Sequence, residues 1–81
     1  MSEQDRKMIV SDPGIALGKP VVSGTRITVE LILEKLGAGE TVEDLLEAHP
    51  RLTAEGVKAS LAYAAAVLRN EEIHPVGSEA A

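Results

Sequence analysis

Residues 28–70 read TVELILEKLGAGETVEDLLEAHPRLTAEGVKASLAYAAAVLRN, and their spacing decides the fold. Val29, Ile32, Leu33 and Leu36 fall on one stripe of a helix. Thr28 stands where a hydroxyl can accept a free first-turn N–H, and Gly37 or Gly39 can supply the left-handed residue that ends the turn. Thr41-Val42-Glu43-Asp44 resembles a capping box, with Asp in the usual Glu or Gln position. Val42, Leu45, Leu46 and His49 continue at helical spacing until Pro50, which disfavours helical geometry at His49. Thr53 opens a third helix, with Val57, Leu61, Ala64 and Leu68 as its inner stripe and Ala65 beside it. The run Ala62–Ala66 has high helix propensity. The spacing predicts helices over about 29–37, 42–48 and 53–69.

Upstream the pattern is different. Residues 1–7 read as a polar, flexible terminus. Between 8 and 27, short β-branched pieces (Met8-Ile9-Val10, Val21-Val22, Thr25-Arg26-Ile27) alternate with turn signals at Ser11-Asp12-Pro13-Gly14, Gly18-Lys19-Pro20 and Ser23-Gly24. These predict two or three very short strands that need the helices, or a second chain, to pack against. The fold class is therefore mainly α with short N-terminal β-strands, a trihelical helix-turn-helix-like domain over 8–70. Residues 71–81, including His74-Pro75, read as a tail.

The 81 residues make one domain at most. A chain of this size buries only about 60–65% of its unfolded surface. With no Cys, Phe or Trp, the core must come from Leu, Ile, Val and Ala, and thiolate metal sites and disulfides are excluded. No apolar run approaches the roughly 20 residues of a membrane span, and residues 1–7 are unlike a signal peptide, so a cytoplasmic protein is expected.

The formal net charge is −5. Residues 1–28 carry Arg6, Lys7, Lys19 and Arg26 against Glu3, Asp5 and Asp12, whereas residues 29–81 carry four basic side chains against ten acidic ones. A phosphate-binding surface wants a basic patch, and the helical part lacks one by composition. In a helix-turn-helix the start of the third helix enters the major groove. That would present Thr53, Glu55, Lys58 and Ala59, with Arg51 near a phosphate. The first turns of the third helix hold no Arg, Asn or Gln to read purines, and Glu43, Asp44 and Glu47 would repel phosphates if they faced DNA.

Gly18-Lys19-Pro20-Val21-Val22-Ser23-Gly24-Thr25-Arg26 is the other candidate. Its glycines and proline specify tight turns. Lys19 and Arg26 can contact phosphate or the acidic groups of a partner, and the strand edge can pair with a second chain. Alternatively, Arg26 turns inward and locks the strands onto the helices. Gly18, Pro20, Gly24 and Thr25 are the structural part of this motif.

The order Ile9…Asp12-Pro13…Gly18-Lys19-Pro20-Val21-Val22…Gly24-Thr25-Arg26-Ile27…Val29 resembles the family known as domain of unknown function 433. The resemblance continues through Gly39-Glu40-Thr41…Glu43-Asp44-Leu45-Leu46…His49-Pro50…Leu52-Thr53 and Ala59…Leu61-Ala62-Tyr63-Ala64. Thr28 stands where the family often has Pro, and His49 where it often has Tyr. The resemblance implies an antitoxin of a type II pair, similar to VapB-type antitoxins. Such an antitoxin neutralises a PIN-like ribonuclease toxin and binds operator DNA to regulate its own synthesis. A homodimer would present the few basic residues symmetrically to a palindrome. The rival readings are a DNA-binding regulator without a toxin and a protein-interaction module without DNA contact.

No enzyme is expected. The acids Glu40, Glu43, Asp44, Glu47, Glu71 and Glu72 match no metal-ligand spacing and read as a solvated face, or as a segment complementary to a basic groove. His49 and His74 lie far apart, and His49 suits a helix C-terminus. Tyr63, the single aromatic residue, reads as a core-edge filler. No nucleophile–base pair or phosphate loop is visible, and neither a metal nor a cofactor is implied.

Overall fold

The structure, a computed structural model, describes residues 1–71; the expected tail beyond Glu71, with His74, lies outside the described residues. Four helices, α1 (Glu3–Met8), α2 (Val29–Gly37), α3 (Val42–Ala48) and α4 (Ala54–Glu71), surround a small antiparallel sheet of β1 (Ile9–Val10) and β2 (Val21–Val22). Ile9 pairs with Val22 and Val10 with Val21.

Threonine caps start the three helices of the trihelical body. Thr28 Oγ1 accepts from the Leu31 N–H at 2.9 Å and Thr53 Oγ1 from the Gly56 N–H at 3.0 Å. At α3 the capping box closes in both directions: Thr41 Oγ1 accepts from the Asp44 N–H, and the Asp44 carboxylate accepts from the Thr41 N–H. Each satisfies backbone donors that a helix start otherwise leaves free. Gly39, at φ +98°, turns the chain out of α2.

The core is Val22, Ile32, Leu45, Leu52 and Val57, with Ile9, Ile27, Leu36, Val42 and Leu46 packed against it. It thus joins β2 to all three helices of the body. Ile32 and Leu45 are sealed from solvent, and each such side chain contributes about 2 kcal/mol by burial.

The expected flexible terminus is replaced by α1. Ser2 caps it through the Asp5 N–H at 3.1 Å, Glu3 and Asp5 sit at its positive end, and Arg6 and Lys7 at its negative end. A helix this short is unstable alone, and α1 is held by packing along α4.

The two short strands fall within the two or three expected, whereas the expected inner stripe of α4 is corrected. Thr25–Ile27 forms no strand; it belongs to a tight reversal after β2. Ala16–Gly18 is a single left-handed turn, with φ of +50°, +58° and +84°. Finally, α4 is rotated relative to the predicted stripe. Its inward face is Gly56, Val57, Ala59 and Ser60, followed by half-buried Tyr63, Ala64 and Val67. Leu61 and Leu68, expected inside, are 46% and 57% exposed. Buried Ser60 is tolerated because its hydroxyl donates to the Gly56 carbonyl at 2.9 Å.

Both edges of β2 are occupied. β1 covers one; on the other, Val22 N–H donates to Ile27 O and Val29 N–H to Pro20 O, each at 3.0 Å. This leaves β2 no free edge on which to pair with a second chain.

Candidate binding site

The site begins with the backbone reversal after β2. Gly24 takes φ +80°, a left-handed value that glycine adopts without a steric penalty. Thr25 Oγ1 donates to the Val22 carbonyl at 2.7 Å and accepts from the Ile27 N–H at 3.0 Å. One hydroxyl therefore closes the loop from both sides. Between these bonds Arg26 is left exposed.

The opposite wall is the connection from α3 to α4. His49 leaves helical geometry before Pro50, and the Leu52 N–H returns to the His49 carbonyl at 2.9 Å. This tight path throws Arg51 outward, where its Nη1 donates to the Gly24 carbonyl at 3.4 Å.

Arg26 and Arg51 thus flank one open depression of about 540 Å³, lined also by Val10, Ile15, Ile27 and Pro50. The ion pairs among the described residues are Lys19–Glu30 and Lys35–Glu40. Neither arginine has a carboxylate partner there, although the protein is acidic overall.

The other expected contact residues lie elsewhere. Lys19 Nζ is 2.9 Å from Glu30 Oε1. That hydrogen bond, and then the attraction of the two charges, holds the lysine above its ordinary pKa and the carboxylate below its own. Lys19 borders a separate groove between α2 and α4. Thr53 is spent on capping α4. Lys58 and Glu55 face a cleft shared with Ser2, Asp5 and Met8 of the N-terminal segment, so α1 crowds the first turns of α4 that were expected to face a DNA groove. Ala59, placed in that groove by its spacing, is fully buried and faces the core instead. Gly18 completes the left-handed turn, and the Pro20 carbonyl receives the Val29 N–H that starts α2. Among the described residues there is no group of three or more His, Asp or Glu close enough to share a metal ion, and no helix is long and apolar enough to cross a membrane.

A family described as a protein of unknown function, DUF433, matches residues 9–64. The chain belongs to the DUF433 family. An uncharacterized protein, y4eO, of Sinorhizobium fredii is 43% identical over 61 residues, which is 75% of this chain and 28% of that protein. The chain therefore spans little more than a quarter of that relative's length. The fold matches the crystal structure of a DUF433 member protein from Anabaena variabilis with a TM-score of 0.73 at 26% identity, covering 86% of this chain and 69% of the other.

Within this DUF433 chain, sequence reasoning missed Leu17, Val10 and Ile15. Ile15-Ala16-Leu17 looks like one more apolar run. In the structure Ile15 lines the depression, while Leu17, two residues on, is 93% exposed at φ +58°. A left-handed conformation costs a non-glycine residue about 1 kcal/mol. The flanking Pro13-Gly14 and Gly18 were the only signal that this run is not extended.

Proposed function

We propose that this DUF433 chain is a cytoplasmic, non-catalytic binding module, the antitoxin of a type II toxin–antitoxin pair that neutralises a PIN-like ribonuclease. The observation that carries the reading is the convergence of Arg26 and Arg51, both free of carboxylate partners among the described residues, on one face of a helix-turn-helix-like body. Exposed cations beside an apolar surface are recognition chemistry: they orient an anionic partner and set its register. Expression of the neighbouring open reading frame, alone and together with this chain, is the test. Growth arrest by the neighbour alone, relief on co-expression and co-purification of the two proteins are expected. A neighbour that is harmless, or that does not co-purify, ends the proposal.

Operator binding by a homodimer is the second activity in this reading. Arg51 supports it, since it lies in the turn that leads into α4, where a helix-turn-helix meets the phosphate backbone. The crowding of α4 by α1 and the exposed Glu55 weigh against insertion of that helix into a groove. A gel-shift series against the protein's own promoter decides the matter, because phosphate contacts make affinity fall steeply with salt. Absence of a shift at low salt removes DNA from the function and leaves a protein-interaction module. DNA binding with a harmless neighbour leaves a regulator without a toxin.

A further inference from the structure

We propose that the Arg26–Arg51 depression receives an acidic segment of a partner protein, with carboxylates on the two guanidinium groups and a bulky apolar side chain seated on Ile15, Ile27 and Pro50. This deepens the antitoxin reading by naming the chemistry of the partner's contact, and its test needs no toxin.

Charge selects the partner first. The chain carries −5 overall, so an acidic segment is attracted only where basic side chains are locally in excess. Arg26 and Arg51 supply that site. Their planar forks match carboxylate oxygens in paired hydrogen bonds, which a lysine cannot reproduce.

The floor selects between carboxylate and phosphate. A depression of about 540 Å³ falls among the sizes that accept a ligand or several side chains. Its floor is aliphatic. A phosphodiester backbone brings nothing apolar to fill it, and unpaired bases require stacking surfaces. The single aromatic residue, Tyr63, lines the other groove between α2 and α4. A peptide with an apolar side chain between acids satisfies both floor and rim.

Leu17 is the independent observation. Its backbone is left-handed and its side chain is 93% exposed, so it contributes almost no burial to the isolated fold. Ile15 lines the depression, and two virtual bonds keep the Leu17 Cα within about 8 Å of the Ile15 Cα. An apolar side chain held in this way beside the rim extends the contact surface onto the same partner. A second copy of the chain is the competing occupant, and the titration below separates it from a partner peptide.

The test is a nuclear magnetic resonance titration of the isotopically labelled full chain with synthetic peptides. One is a capped acidic peptide with Leu and Phe between Asp and Glu residues; the other is identical but with Asn and Gln. A duplex of about 20 base pairs serves as the phosphate probe. The acidic peptide is expected to shift the amides of Ile15, Gly24–Ile27, His49 and Arg51 while leaving Tyr63 unmoved. Its affinity should drop about tenfold in Arg26→Glu and severalfold in Leu17→Gly, both at exposed positions, as for truncated interface anchors. The Asn and Gln peptide should not bind.

The proposal is overturned if the acidic peptide causes no shifts up to about 1 mM, or if its shifts centre on Tyr63. It also fails if the duplex moves the depression's amides more strongly than the peptide does. Concentration-dependent shifts of the same amides in the chain alone would assign the depression to a second copy and equally overturn it. Toxin relief without any effect at the depression sinks this inference alone. Peptide binding beside a harmless neighbouring gene sinks the antitoxin reading alone.

Discussion

The Arg51 guanidinium reaches the Gly24 carbonyl at 3.4 Å across 27 residues of sequence, and that contact joins the two walls of the arginine-flanked depression. It is a long hydrogen bond in solvent, so its net contribution is at the low end of the usual range, about 0.5 kcal/mol. Arg51→Ala should therefore leave the thermal midpoint nearly unchanged. Arg26→Ala should do the same, because the side chain is exposed and forms no hydrogen bond or ion pair among the described residues. Loss of partner binding with an unshifted melting curve identifies both as contact residues. A clear fall in melting temperature for Arg26→Ala would show that it holds the fold.

Thr25 closes the loop that carries Arg26. It is part-buried, and its single hydroxyl serves the Val22 carbonyl and the Ile27 N–H. Thr25→Val preserves shape and leaves both backbone groups without that partner, at a cost of about 1–3 kcal/mol. Thr25→Ser keeps the bonds and should lose far less. Urea unfolding of the two variants measures the difference, and equal stability would mean that the hydroxyl contributes nothing.

These features divide what is legible in the sequence from what is not. Thr28, Thr41 and Thr53 were readable as caps because capping is decided within four residues. The phase of α4 was not. The small residues Ala59, Ser60, Ala62 and Ala64–Ala66 fit several faces of a helix equally, and packing of Gly56 beside Val22 selects one. Helix α1 was hidden because a segment so short depends on docking along α4 rather than on its own propensity. Arg26 is legible as a candidate contact in the sequence, but its outward direction is set by the bonds of Thr25 and Gly24's left-handed backbone. Leu17 escaped because its conformation is imposed by the turn around it, not by any local preference of Leu.

Leu17→Gly tests that last point directly. The substitution removes left-handed strain of about 1 kcal/mol and sacrifices almost no burial, since the side chain is 93% exposed. Part of the gain is offset by the greater freedom of glycine in the unfolded chain, roughly 0.5–1 kcal/mol. Stability should stay level or rise slightly, as measured by chemical denaturation, while a Leu-to-Gly change in an ordinary apolar contact would lower it. A loss above about 1 kcal/mol would show that Leu17 packs within its own fold.

Gly56 presents the opposite balance. An alanine Cβ there would sit 3.1 Å from Val22 Cγ1 and 3.3 Å from Leu52 Cδ1. Both neighbours are buried core residues that have little room to yield. Helix propensity favours Gly56→Ala by about 1 kcal/mol, but overpacking of a tight core costs about 1–3 kcal/mol. The variant should be less stable by about 1 kcal/mol, the difference between those terms. A stabilised variant would mean that α4 can slide away from β2 without loss.

The Lys19–Glu30 pair gives the protein a small, signed dependence on pH. The hydrogen bond from Lys19, and then its charge, lowers the Glu30 pKa below the ordinary 4.5. Its contribution is thus fully present above that value and is lost as pH falls through the lowered one. For Lys19 the hydrogen bond to Glu30 and the attraction of its charge raise the pKa above 10.5. That side of the contribution is present below 10.5 and disappears as pH rises through the raised value. Both side chains are more than half exposed, so the effect is screened and small. Melting curves of the protein and Lys19→Met should differ most near neutral pH and converge in acid and in strong base. The difference should also shrink at about 1 M salt, where the screening length falls to about 3 Å. A gap that persists unchanged in acid would place the role of Lys19 in its aliphatic stem, which borders the groove between α2 and α4, rather than in its charge.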